Sequence, residues 1–317
     1  MQPGGQPRSL PADVERCIFE SAAYLHPECI PSLLLVARRV NLWTEHVLHR
    51  VLTALVGRNS KGTVVAPNYI RRHSPRSLPI FLDSKPREFF HSHVRHVRLV
   101  GVPLAEMVRT LSLCDETTDL SLWDVVGAQE DDNNTPLLAV LGTLPLQRLS
   151  IYFRRGAMDF SSPFFVRLTH LDLPGAHSDR WADWEPLALL PQLTHLSFSE
   201  DFHSTPIFKN LLQYCPSLQA LVVLFSAPAL LNLLAGVLRV GVPDARFVVL
   251  LVLDRDEDWE TGARGGEDYW ILAEEEVVQN RRRVRRNDID IDNDRAGLDR
   301  DEFVLSLAES PAGCQIA

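Results

Sequence analysis

Apolar residues recur along this chain in one short phrase, apolar-x-x-apolar-x-apolar, six times over. The copies are VRHVRL from Val94, TTDLSL from Thr117, LQRLSI from Leu146, LTHLDL from Leu168, LTHLSF from Leu193 and LQALVV from Leu218. Their start-to-start steps are 23, 29, 22, 25 and 25 residues, and Thr117 breaks the first apolar position of its copy. Successive side chains of a strand point to opposite faces, so the leucines of each phrase share one face and the residues between them share the other. Aligning the copies predicts three rows on that second face. One row reads His96, Asp119, Arg148, His170, His195, Ala220, and the next reads Arg98, Ser121, Ser150, Asp172, Ser197, Val222. The third reads Val100, Trp123, Tyr152, Pro174, Ser199, Leu224. A small thiol six residues ahead of the central leucine, Cys114 before Leu120 and Cys215 before Leu221, marks the same register independently.

A different texture precedes the phrases. From Ser9 to Val56 the spacing predicts three short helices. Pro11 suits a helix start, and Val14, Ile18, Ala22 and Leu25 follow at helical steps. His26-Pro27 breaks that helix, and Pro31 opens a second apolar run ending at Arg38-Arg39. Asn41 can cap a third helix carrying Trp43, Val47, Val51 and Leu55 at steps of four. This is more apolar surface than a tiny bundle needs, which implies a buried partner.

Residues 57–92 read as a connector rich in Pro, Ser and basic side chains, with a short strand or helix around Ser77 to Leu82. The uncharged run ALVVLFSAPALLNLLAGVL (220–238) has membrane-spanning length, but Pro228 and Asn232 interrupt it. Strand, turn and buried helix is the better reading. RFVVLLVL from Arg246 predicts a last buried strand. Gly262, Gly265 and Gly266 mark a turn, and Asp268 to Arg286 reads as a helix with Trp270, Ala273 and Val277 on one face. The expected organisation is a helical segment at 9–56, a connector at 57–92, repeats at 93–253, a capping helix at 254–286 and an acidic flexible tail at 287–317.

Charge and composition narrow the function classes. The formal net charge is −9, of which eight acids and two arginines beyond Arg286 account for −6, leaving the body near −3. That balance argues against a nucleic-acid footprint. Five cysteines without a CxxC pair, and no charged-then-apolar export signal before Ser9, point to free thiols in a reducing, cytoplasmic setting. RRRVRR at Arg281–Arg286 reads as helix-end charge or as a nuclear-import patch.

Enzyme signatures are missing. There is no G-x-S-x-G, no H-E-x-x-H, no phosphate-cradling glycine loop and no deaminase-like cysteine set. A calcium loop begun at Asp292 fails at Ala296 and Phe303, and His91, His93 and His96 fit no metal spacing. His170 and His195 should lie about 5 Å apart on adjacent strands. No cysteine or third histidine is placed to complete a metal site there, so they read as exposed neighbours. No cofactor is expected.

Two resemblances follow. The recurring strand phrase at steps of 22 to 29 residues resembles leucine-rich repeats. The order Leu10-Pro11, Ile18-Phe19, Val36-Ala37-Arg38-Arg39-Val40 and Trp43 resembles an F-box, in particular the divergent F-box-like segment of fungal leucine-rich proteins. Val40 stands where many F-boxes have tryptophan, with Trp43 one turn later. Together they imply an α/β fold in which a short N-terminal F-box-like helical segment precedes an irregular leucine-rich-repeat solenoid closed by a C-terminal capping helix.

The function implied is that of a non-enzymatic substrate receptor in a cullin–RING ubiquitin ligase, with the ligase adaptor subunit and cullin scaffold as partners. Leu10, Pro11, Ile18, Val36 and Trp43 would face the adaptor. His96, Arg98, Trp123, Arg148, Tyr152, His170, Asp172 and His195 would line a concave face that holds a target protein. Two other readings stand beside it. One is a leucine-rich interaction module without ligase recruitment, its helices only capping the first repeat. The other is a hydrolase or metal-dependent enzyme.

Overall fold

A computed structural model describes residues 10–56, 72–124, 135–152, 159–175, 178–202 and 204–297. The helical start comprises α1 (Ala12–Leu25), a 3-10 turn at Pro27–Cys29, α2 (Ile30–Leu33) and α3 (Arg38–His49). Pro11 precedes the first turn of α1, and the chain breaks at His26-Pro27 as its composition requires. Arg38-Arg39 opens α3 instead of closing α2, and the N-cap is Ala37; Asn41 lies inside the helix, its amide donating to the Leu34 carbonyl. The third helix also ends sooner than its four-residue apolar steps predicted. Val51–Leu55 is a strand, β1, because the run VLTAL is buried along almost its whole length and a helix would have turned part of it to solvent.

The chain continues through β2 (Arg72–His73), α4 (Ser77–Asp83), α5 (Arg87–His93), β3 (His96–Val100), α6 (Leu104–Leu113) and β4 (Asp119–Trp123). Then come α7 (Thr135–Leu141), β5 (Arg148–Ile151), β6 (His170–Leu173), β7 (His195–Ser199), α8 (Thr205–Tyr214), β8 (Ala220–Phe225), α9 (Pro228–Gly241) and β9 (Phe247–Leu251). The last elements are α10 (Arg255–Ala263) and α11 (Tyr269–Gly297).

All nine strands form one parallel sheet in the order β2-β1-β3-β4-β5-β6-β7-β8-β9. Each of the six phrases supplies one strand, and the register is the one their alignment predicted. Leu120 pairs with Leu149, Leu149 with Leu171, Leu171 with Leu196 and Leu196 with Leu221. From β3 onward the strand order never reverses, so crossovers of constant hand all fall on one face. The leucine rows pack there against the connecting helices and 3-10 turns, in a continuous core running from Leu52 to Val249. Cys114 and Cys215 are both buried in it, and burial raises both thiols, Cys215 to about 11.

The other face corrects the expected architecture. A parallel sheet is stable when both faces are covered, and here α10 and α11 lie across the second face instead of capping an end. In a solenoid each unit touches only its neighbours. Here Arg72 bonds Glu260 across 188 residues, Arg98 bonds Asp256 across 158 and Trp259 bonds Asp119 across 140. The fold is therefore a nine-stranded α/β sheet enclosed on both faces, not a repeat solenoid with a cap. Nor does the arrangement of α1–α3 identify an F-box start.

The segment from Asp254 forms two helices, α10 and α11, on either side of the glycine turn. Asp254 caps α10 by accepting from the Asp256 and Glu257 amides, and only Gly265, at φ +85, uses the backbone freedom of glycine in the turn that follows. Trp270, Ala273 and Val277 are buried as their spacing predicted. Helix α11 runs on past Asp292 to Gly297. Residues 298–317 lie outside the described range. The 220–238 run is β8, a turn and α9, as its interruptions predicted, although Val237 and Val240 on α9 are exposed. Among the described residues no helix is long and apolar enough to cross a membrane.

Candidate functional site

The second sheet face changes character along the sheet, and its cover changes to match. Over β8 and β9 the face is apolar, and Tyr269, Trp270, Ala273 and Val277 of α11 close a small core with Ala220, Val222, Leu224 and Val248. From β2 to β7 the face carries most of the polar and charged side chains, among them Arg72, Arg98, Asp119, Arg148 and Asp172, and the acidic helix α10 and the start of α11 lie on it.

Arg98 is only 1% exposed. Its guanidinium bonds the Asp256 carboxylate and Ser121, and lies 5.1 Å and 5.7 Å from the ring centres of Trp123 and Trp259. Arg72 grips Glu260 through two donors at 2.9 and 2.8 Å, and Glu260 is itself buried. Arg148 bonds Asp268, with Asp119 at 3.9 Å. Asp172 accepts from Ser150 and Ser197, both at 2.7 Å, and the Ser197 hydroxyl also meets the Tyr269 hydroxyl at 3.0 Å. Buried charges persist when they are paired and hydrogen-bonded, and these are.

Titration follows from the enclosure. Burial pushes the Tyr269 hydroxyl well above its usual range, and nearby Asp172 adds to this. Burial also pushes the Asp258 carboxyl up to about 6, against the pull of the Tyr269 N–H donated to it. For Arg148 burial works against the charge, but Asp119 and Asp268 outweigh it and hold the pKa above the ordinary value. A cavity of about 30 Å³ remains among Arg98, Arg148, His170, Asp172, Arg255 and Tyr269. That suits a water-sized occupant, not a substrate.

His170 and His195 are brought side by side, as the register predicted, but not as exposed neighbours. Their rings stack in parallel, 4.2 Å between centres, with Trp270 edge-on to both. His195 is 3% exposed. The Thr169 hydroxyl donates to the Gln147 carbonyl and lies 2.8 Å from His170 Nδ1. Thr194 repeats the arrangement, donating to the Thr169 carbonyl and lying 2.9 Å from His195 Nδ1. Glu274 of α11, largely exposed, reaches His195 Nε2 at 3.1 Å without the alignment of a hydrogen bond. Burial lowers the pKa of both imidazoles, that of His170 to about 2, with the neighbouring ring and Arg148 acting in the same direction on His170. Among the described residues this is the one trio of potential metal ligands that converges, within 4.8 Å. His91, His93 and His96 instead go to separate partners: Asp115, the Phe89 carbonyl, and Arg50 with Asp119.

All eight residues read as target-binding stand on this face or at its edge, but they do not line an open groove. Arg98, Asp172 and His195 are buried, and His96, Arg148 and His170 are half-buried around α10 and α11. Trp123 and Tyr152 are half-buried at the ends of β4 and β5. Sequence reasoning missed the partners that α10 contributes, Asp256, Trp259 and Glu260, because the segment from Asp254 was placed in a cap at the end of the sheet and not across its face. Their signal was charge complementarity, an acidic DRDED run against Arg72, Arg98 and Arg148.

The residues read as adaptor-facing fare differently. Leu10, Pro11, Ile18 and Val36 are exposed, Leu10 at 57% and Ile18 at 51%, while Trp43 is half-buried beside Phe19. Leu25, Leu35 and Leu42 extend this exposed apolar surface. Beneath it lies only a small core of Ala23, Ile30 and Val47, and the Arg39–Glu15 ion pair ties α3 to α1. No protein-family model matches the chain, and a search of curated proteins finds no match.

Proposed function

We propose that this protein is a non-enzymatic substrate-recognition adaptor of a cullin–RING ubiquitin ligase, docking on the ligase adaptor subunit through α1–α3. The observation that carries this reading is the apolar surface of Leu10, Ile18, Leu25, Leu35, Val36 and Leu42, which nothing else in the described chain covers. Exposed apolar side chains gathered on short paired helices suit docking by another protein, and three of the five residues singled out by the F-box resemblance, Leu10, Ile18 and Val36, are among them. Val40 is fully buried and serves the helix packing, so Trp43 takes the aromatic role. The enclosed sheet face holds the body rigid, and target contact falls to its reachable rim, including Trp123 and Tyr152.

Affinity purification of the full chain from cell extract tests this. The wild type should recover the ligase adaptor and cullin, and Leu10→Ala with Ile18→Ala should lose both while the protein stays folded. Recovery of other proteins without adaptor or cullin would leave an interaction module that does not recruit a ligase.

A further inference from the structure

A second cavity, of about 120 Å³, lies where α1 and α3 meet β1, β3 and the turn after α10. Most of its wall is apolar, made by Ala23, Pro27, Ile30, Val47, Val51 and Ala263. Two arginines, Arg50 and Arg264, also line it, and among the described residues no carboxylate does. Arg50 is half-buried and its guanidinium is held in a fixed direction. Nε donates to His96 Nε2 at 3.0 Å. A guanidinium can only donate, so His96 carries its own proton on Nδ1, which faces Asp119 Oδ2 at 3.4 Å. Nη1 donates to the Tyr24 hydroxyl at 3.4 Å. Unlike Arg72, Arg98 and Arg148, Arg50 meets no carboxylate among the described residues. Nor do nearby helix ends use up its charge. The Arg50 carbonyl that follows α3 accepts from the Arg95 and His96 amides, and the last carbonyls of α10 accept from amides of their own turn. We propose that this cavity binds a small monocarboxylate with a short branched apolar tail, its carboxylate on Arg50 and its tail against the apolar wall.

Size and polarity select that ligand. The volume is that of about four waters, each needing two to four polar partners, which the apolar wall does not offer. An engineered apolar cavity of about 150 Å³ takes benzene, so a short branched acid fits here. A hydrocarbon would leave the arginine without a counter-ion, and a phosphate or dicarboxylate would press charge on the apolar wall. With Nε committed to His96, Nη1 and Nη2 remain to hold the two carboxylate oxygens. The Tyr24 hydroxyl can donate a further bond. Two sources carry this chemistry: a free short-chain acid, and the C-terminal valine or leucine of a polypeptide, whose chain would leave past Tyr24, itself 39% exposed.

Isovalerate is the probe, titrated into the full chain at constant ionic strength and followed by ligand-observed NMR. One saturable site with a Kd of about 1 mM is expected for an acid of this size. Isovaleramide, with the same shape and no charge, and the Arg50→Gln chain with isovalerate should each give binding weaker by about tenfold or more. Arg109→Gln on α6 should change nothing. Because Arg50→Gln also loses the His96 bond, Tyr24→Phe at an exposed position serves as a second variant, with binding about threefold weaker and an unchanged Tm. A pentapeptide ending in valine that binds more tightly than isovalerate assigns the site to a polypeptide end, and one that does not assigns it to a free acid. Equal binding of acid and amide, binding undiminished by Arg50→Gln, or no saturation by about 50 mM would overturn the site and leave the cavity to water.

Discussion

The face beneath α10 and α11 and the outer surface of α1–α3 place opposite kinds of residue in opposite kinds of environment. On the sheet face, arginines are held beneath α10 and α11 and paired with carboxylates more than a hundred residues away, and histidines are buried beside them. On the N-terminal helices, leucine, isoleucine and valine stand in solvent over a small core around Ala23, Ile30 and Val47. Chemistry that looks functional in sequence can thus be structural, because polar residues on a parallel sheet still have to be covered. Chemistry that looks like ordinary core can be the surface left for a partner.

Substitutions should separate the two regions by size of effect. Trp270→Ala removes the side chain that packs α11 on both histidines, and should cost about 3–5 kcal/mol in denaturant unfolding, the range for a large aromatic lost from a core. Arg98→Ala strips Asp256 and Ser121 of their partner and opens a gap between two indoles. A loss of about 3 kcal/mol is expected, toward the low end for a broken buried pair because Asp256 is partly exposed. A small loss at either position would mean that α10 and α11 are only loosely held on the sheet.

Asp258 sharpens the same contrast through pH. Its folded pKa, raised to about 6 from 3.8, lies above the unfolded value, so the native state binds more protons between those limits. Stability from this group is complete below pH 4 and is lost as pH rises through 6. Asp258→Asn should therefore leave stability unchanged at pH 3.5 and raise it by about 1 kcal/mol at pH 7, after discounting for solvent screening. A gain at low pH instead would contradict the enclosure of this carboxyl. Smallest of all, Ile18→Ala should move stability by less than about 0.5 kcal/mol, as an exposed position should.

The strand layer was legible because strand chemistry is local. A period of two, repeated with the same offsets, fixed which leucine meets which, and even the threefold rows of the second face. What covers that face was not legible from period or propensity. The segment RDEDWETGA has no apolar stripe, since α10 is held by charges whose partners lie on β2, β3 and β4. Val51–Leu55 was misplaced because four-residue spacing in an apolar run fits a helix face as well as a buried strand. Glu274 escaped notice for a related reason. It follows Trp270 by one helical turn, so its place beside the histidines depends on where that tryptophan docks.

Thiol reactivity compares the two regions most directly, in a background with Cys17, Cys29 and Cys314 replaced by serine. Ser197→Cys sits under Tyr269 and Leu10→Cys on the open helical surface. If α10 and α11 close the sheet face, the thiol at 197 should be labelled under native conditions at least about a hundredfold more slowly than the thiol at 10, since it reacts only when the cover opens. Equal labelling rates would show an open face, and would contradict the enclosed sheet on which the account rests.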